Sequence, residues 1–234
     1  MRPFFPALLC IAFVLVSPAR AQNPQECESY PDVPVTVNPV FENPKYDFSQ
    51  DIAAIQTMAK DSQRSISEKL TLGLTRYEPM LEFRLPMKGV IFPNGLACAH
   101  AERAEITIGY RNVTVYVARE VPQGSCGFGE IMAHEQKHID VNKQLLQDYA
   151  PMIQEKLRAY LRLNGVFRER NPDYAMQLLR EKLQEIVNSL GLQMMEDNHR
   201  RQQQVDNMDE YQRITLSCNG QMASIAEHFR MTGH

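Results

Sequence analysis

The sequence has no surplus of charge, no second long apolar run, no internal repeat and no low-complexity tract. Its 25 basic and 28 acidic side chains are interspersed, for a formal net charge of −3. A nucleic-acid surface needs a basic stripe, and none is visible. Beyond residue 21 no stretch is apolar enough to span a bilayer. There is no G-x-S-x-G nucleophile elbow and no glycine-rich phosphate loop. Serine hydrolases of the elbow type and P-loop enzymes are therefore set aside.

The one long apolar run lies at the start. MRPFFPALLCIAFVLVSPARA, residues 1–21, has an early Arg2, an apolar stretch Phe4–Val16 and the small-x-small pattern Ala19-Arg20-Ala21. That order is a secretory signal, so the mature chain is expected to begin near Gln22, secreted or periplasmic. About 210 residues remain, enough for one domain with its own core. Four cysteines survive processing: Cys27, Cys98, Cys126 and Cys218. An even number in an exported protein points to two disulfides, and four cysteines allow three pairings. Cys98–Cys126, bracketing a short strand pair, and Cys27–Cys218, joining the two ends, are expected.

The fold class expected is α+β: a small, mainly antiparallel sheet followed by long helices. Residues 22–46 read as an extended N-terminal arm with a strand at Val33–Val37, and residues 47–234 as a single domain. Ser49 is the expected N-cap of a short helix bearing Ile52, Ala53, Ile55 and Met58. Strands follow in LTLGLTR, MLEFRL, GVIFPNGLACA and AEITIGYRNVTVYVARE. In the last, Ile106 and Ile108 alternate with polar neighbours, as do Val113, Val115 and Val117, and Gly109–Asn112 reads as a hairpin turn.

From Gly127 or Glu130 onward the period becomes helical. Ile131, His134, His138, Val141, Leu145 and Tyr149 share one stripe. Pro151 is expected to kink this helix or begin another. LRLNGVFRERNPD reads as a turn with Pro172 at the first position of the next helix. That helix is expected from about Asp173 towards Arg213, striped by Leu179, Leu183, Ile186 and Leu190. Gly191 is a candidate interruption, and a last short helix is placed around Ala223–Phe229.

Within the first long helix, residues 134–138 spell H-E-x-x-H. Residues four apart share a helix face, so His134 and His138 can aim their imidazoles at one point. Neutral imidazole suits Zn2+, and catalytic zinc sites use three protein ligands with water in the fourth place. Glu135, one residue past the first histidine, is placed to act as general base on zinc-bound water. A chain of this size shows the motif by chance on the order of 1% of the time. The bland alternative is an amphipathic helix with histidines at the core edge, Glu130 pairing with His134 at i, i+4.

GEIMAHEQKHID after a strand pair resembles the active-site helix of the zincin metallopeptidases. More loosely, the run from the strands through Ser125-Cys126 to this helix is similar to exported bacterial zinc proteases of unknown function. The resemblance covers roughly residues 95 to 215, and its sharp part is the five-residue motif. It implies a zinc-dependent hydrolase, most readily a metallopeptidase, with His134 and His138 as metal ligands and Glu135 as catalytic base. It also implies an edge strand, at Asn112–Glu120, that pairs with an extended peptide or protein substrate, cell-wall peptides included.

The metzincin continuation is absent, since Ile139-Asp140-Val141-Asn142-Lys143 follows the motif, so the third ligand lies elsewhere. Counting outward from an antiparallel helix turn places His199 opposite the motif. His199, Gln203, Asp206 and Glu210 fall at spacings of four, three and four. His199 is the preferred ligand, with Asp206 and Glu210 as alternatives, and Tyr211 or a nearby arginine is a candidate oxyanion donor. His100 is expected in a loop and His228 on a surface helix, with His234 terminal. The rival class is a non-catalytic exported binding or structural domain, or an inactive zincin that keeps its metal.

Overall fold

A computed structural model of the chain describes residues 32–61 and 70–232. The signal segment, Cys27 and His234 lie outside them. The architecture is mixed, with small sheets followed by long helices. The element order is β1 (Val35–Phe41), β2 (Lys45–Asp47), α1 (Ile52–Asp61), β3 (Gly73–Arg84), β4 (Met87–Ile91), β5 (Ala97–Ala101), β6 (Ala104–Val117), α2 (Cys126–Asn164), β7 (Val166–Glu169), α3 (Pro172–Val205), α4 (Met208–Leu216) and α5 (Gln221–Thr232).

β6 is the spine of the first sheet. β3 pairs with it antiparallel over nearly its whole length, while β1 and then β2 pair with it parallel. The expected hairpin at Gly109–Asn112 does not form, and β6 runs straight through those residues. Two local reasons are visible. A side chain at position 109 would collide with the Val40 carbonyl of β1, at 2.0 Å, so Gly109 serves the close approach of two strands rather than a reversal. Asn112 takes a positive φ of 51°, opposite a register shift between Arg76 and Glu78 in β3, and its N–H donates to the Glu42 carboxylate at 2.7 Å. A bulge therefore stands where a turn was expected. The placement of an edge strand at Asn112–Glu120 is corrected with it, because β6 has β2 on one side and β3 on the other there.

A second sheet, β4-β5-β7, is antiparallel. GVIFPNGLACA turns out to hold two strands, β4 and β5, reversing at Gly95 with φ 79°. His100 is not in a loop: it is buried in β5, the central strand of this sheet. Asp51 rather than Ser49 caps α1, its carboxylate accepting from the Ala54 N–H at 2.8 Å; Ser49 instead donates its N–H and hydroxyl to Asp47.

α2 is a 39-residue helix whose Ser125 cap accepts from Phe128 N–H. It continues across Pro151 to Asn164, neither ending nor restarting there. α3 begins at Pro172, with Asn171 as its cap, and Gly191 does not interrupt it. A Cβ at 191 would come within 2.8 Å of Leu81, so the glycine admits β3 against the helix. The single long helix expected towards Arg213 is in fact two. α3 stops at Asp206, and Asn207 caps α4 by accepting from Glu210 N–H at 2.8 Å.

One apolar cluster gathers β1, the first half of β6, the distal part of α2 and α3, including Leu145, Leu157, Leu179 and Leu183. Each such leucine contributes about 1.5–3 kcal/mol by burial. A second gathers α1, the end of β6, Ile131 and Met222. Along α2 the stretch from His134 to Asn142 lies between the two.

The disulfide expectations are also corrected. Cys126 pairs with Cys218, with Cα atoms 5.7 Å apart, so neither Cys98–Cys126 nor Cys27–Cys218 is formed. The bond joins the first residue of α2 to the second residue past α4, because α4 folds back along the start of α2. Closing 92 residues of chain contributes about 4–5 kcal/mol in the chain-entropy view. Cys98 is buried in β5 and is not a free thiol. Among the described residues no helix is long and apolar enough to cross a membrane.

Candidate metal centre

α2 and α3 pack antiparallel, and three rungs connect them: His134 with Asp206, His138 with Gln202, and Asn142 with Asn198. Each step of four residues up α2 is matched by a step of four down α3, as two helices with 3.6 residues per turn require. The rungs decide which side chain completes the motif. The structure brings together His134, His138 and Asp206, whose ligand atoms all lie within 4.8 Å of one another. Their atoms form a small triangle. His138 Nε2 is 3.0 Å from Asp206 Oδ1, His134 Nε2 is 3.2 Å from the same oxygen, and the two Nε2 atoms are 3.3 Å apart.

His199 does not join them. It is exposed on α3 and its Nε2 meets the Gln203 amide at 2.9 Å. The reason is angular: one residue beyond Asn198 is a rotation of about 100° round the helix, away from α2. The count that selected it treated the two helix ends as level. β7 lies between them, pairing with β5, and α3 overhangs the end of α2 by about one turn. Glu210 stands behind the triangle. Its Oε1 is 3.5 Å from His134 Nδ1, and it binds Lys137 Nζ at 2.6 Å and Arg213 Nε at 2.9 Å. Tyr211 lies on α4, and His228 is exposed on α5.

Glu135 is buried and faces β3. Its Oε2 accepts from Thr75 Oγ1 at 2.7 Å, and a Cβ at Gly73 would sit 2.6 Å from its Oε1. Gly73 is thus needed for the motif helix to approach the sheet so closely. Neither Gly73 nor Thr75 carried any sequence signal, since both sit in an ordinary strand pattern.

The electrostatics favour a positive charge in the triangle. Burial opposes ionisation of Asp206, but the imidazoles of His134 and His138 beside it outweigh that and hold its carboxyl well below the usual range. Burial likewise favours neutral His134, yet Asp206, Glu135 and Glu210 raise its pKa. A proton or a metal ion answers that demand equally. Glu210 is pulled down to about 2 by Arg213, against its own burial and with help from Lys137.

The donor set fits a metal. Three corners of a tetrahedron drawn round an ion at 2.0–2.1 Å are separated by about 3.3 Å, close to the three sides measured. Two imidazole nitrogens and a carboxylate oxygen converging at that range need a proton or a metal ion among them. His138 Nδ1 is bonded to Gln202 Oε1 at 2.5 Å, which leaves its Nε2 lone pair for the triangle. A cleft of about 320 Å³, lined in part by Lys137, Arg201 and Glu210, opens beside the centre, and none of the three ligand residues lines it.

No family model matches the chain, and no curated protein or solved structure matches it.

Proposed function

We propose that this chain is an exported, zinc-dependent hydrolase of zincin type, most readily a peptidase. One observation carries the reading: the Nε2–Nε2–Oδ1 triangle with sides of 3.0, 3.2 and 3.3 Å, built on a helix whose next residue after the first ligand is Glu135. His134, His138 and Asp206 would hold the ion, and a donor set of two imidazoles and a carboxylate suits zinc. A zinc ion held there would supply Lewis acidity, making a water more acidic (pKa roughly 7) and the substrate carbonyl more electrophilic. The Glu135 carboxylate takes the proton of the attacking water and returns it to the leaving nitrogen. Thr75 holds that carboxylate in place, and the burial around it excludes competing solvent. β3 pairs only with β6 among the described residues, which makes its other edge the candidate place for an extended peptide to add. The 1–21 signal pattern and the Cys126–Cys218 bond are in keeping with export.

A second reading keeps the metal and drops the hydrolysis. It is favoured by the Thr75 bond to Glu135, which occupies one carboxylate oxygen in the buried interface with β3. Glu135→Gln separates the two. As a hydrolase, the protein keeps about one zinc per chain in this variant and loses peptide cleavage by several orders of magnitude. As a binding module it has no cleavage to lose. Zinc content measured on the protein and on His134→Ala/His138→Ala tests the metal itself; no zinc in either, with the fold intact, overturns both readings.

A further inference from the structure

Behind His138 lies a chain of neutral polar side chains that the hydrolytic reading does not use. Asn142, Asn198, Gln202 and Tyr110 are all 6% exposed or less, packed where α2, α3 and β6 meet. Polar groups so deep in a core are tolerated only when hydrogen-bonded, and these are bonded to one another. Gln202 Nε2 donates to the His138 carbonyl at 3.3 Å and to Asn142 Oδ1 at 2.9 Å. Asn198 Nδ2 donates to the same Asn142 oxygen at 2.9 Å and to the Tyr110 hydroxyl, and the Tyr77 hydroxyl donates to Asn198 Oδ1 at 3.3 Å.

The direction of this chain is forced. A backbone carbonyl only accepts, so the side of the Gln202 amide facing the His138 carbonyl must be its NH₂. Its oxygen then faces His138 Nδ1, which must carry the imidazole proton. With Nδ1 protonated, the Nε2 lone pair is left bare, aimed at Asp206 and His134. The same polarity runs outward. Asn142 must offer oxygen to Gln202, so Asn198 must offer its NH₂ to Asn142. One atom is sacrificed to it: Asn142 Nδ2 is buried with no hydrogen-bond partner. Turning that amide over would leave the nitrogen unsatisfied still, set donor against donor at both neighbours, and orphan the oxygen as well. The core thus keeps an orphaned donor in exchange for a single orientation of the chain.

We infer that Gln202 is a positioning residue that fixes His138 as the Nδ1–H tautomer, with Asn142, Asn198 and Tyr110 locking the Gln202 amide from behind. The inference rests on the metal-site reading for its consequence, but not for its geometry. Nothing equivalent stands behind His134, whose Nδ1 has Glu210 only at 3.5 Å. His138 is therefore the pre-formed ligand of the pair and His134 the one that a bound ion must orient.

The test uses the disulfide-bonded, metal-free protein at about pH 8, where an ordinary imidazole is neutral. ¹⁵N NMR of the histidine rings reads the tautomer directly, and zinc affinity is measured by chelator competition. Wild-type His138 is expected to carry its proton on Nδ1. Gln202→Met keeps the volume and removes both polar atoms; it is expected to lose that tautomer preference and to bind zinc about 10–100-fold more weakly. Gln203→Met, on the exposed face beside it, is expected to change neither. A wild-type His138 protonated on Nε2 overturns the inference, as does a folded Gln202→Met with tautomer and zinc affinity both unchanged. If the wild type takes up no zinc, the hydrolase reading falls while the tautomer still decides this one. If Gln202→Met does not fold, the wild-type spectrum decides alone.

Discussion

The two histidines of the motif are four residues apart on one helix and are held in opposite ways. His138 is 2% exposed and is backed by uncharged amides reaching to a core tyrosine. His134 is 15% exposed and is backed by an ionic lattice at the rim, in which Glu210 binds Lys137 and Arg213, and Arg213 reaches Glu130 at 2.6 Å. The difference follows from solvent. Deep in the core a charge is expensive, so orientation is set by directed bonds between neutral groups. At the rim, charges remain partly hydrated and hold position through attraction that bends easily. The pair teaches that a candidate metal site can have one fixed wall and one compliant wall, with Asp206 at the point where they meet.

The sharpest way to break that comparison is to remove its meeting point. Asp206→Ala is expected to lower zinc affinity by at least two orders of magnitude, whereas His199→Ala leaves it unchanged; chelator competition on both variants measures this. Equal loss in the two would return His199 to the ligand set. Next in size is the strap on the rim side. Cys126→Ser with Cys218→Ser should lower unfolding free energy by about 2–5 kcal/mol in denaturant titration. A change near zero would mean that α4 is held in place without the bond.

The inner wall comes third. Asn198→Leu removes the partner of the Tyr110 and Tyr77 hydroxyls and one of the two donors to Asn142, and a loss of about 1–3 kcal/mol is expected. Gly73→Ala belongs with it, because the new methyl meets Glu135 and Ile131 within 2.6 Å. It should destabilise the protein and, in the hydrolase reading, cut turnover more than zinc content. The smallest effect is expected at the outer wall. Lys137→Met removes one exposed arm of the lattice and should change stability by under about 1 kcal/mol, less still at high salt. If Lys137→Met were to outweigh Asn198→Leu, the assignment of rigid and compliant walls would be reversed.

Much of the helical half could be read along the chain. The apolar period, the proline start at Pro172 and the H-E-x-x-H spacing are all local, and both long helices begin where they were expected, although α2 runs on through Pro151 and α3 ends well before Arg213. Extending the Leu179–Leu183–Leu190 stripe by helical steps reaches Met194, then Asn198, Gln202 and Asp206, all on the face turned to α2. The polar tail of an apolar stripe is the signal, and a count that takes the two helix ends as level lands instead on His199, off that face. The sheet was harder. Glycine and asparagine in Gly109–Asn112 suit a hairpin and a bulge alike, and only the presence of β1 against Gly109 decides between them.

The sequence by itself determined that His134 and His138 share a helix face with Glu135 beside them, because a helix fixes neighbours through bonds spanning only four residues. Only the tertiary structure decided that Asp206 joins them, that Thr75 holds Glu135 and that Cys126 pairs with Cys218. Those choices depend on the register between α2 and α3 and on the fold-back of α4. Register is set by a connection that spends β7 on the second sheet, and by how two apolar clusters close on either side of a polar stretch. No local pattern encodes a distance of that kind. It emerges when the whole core packs.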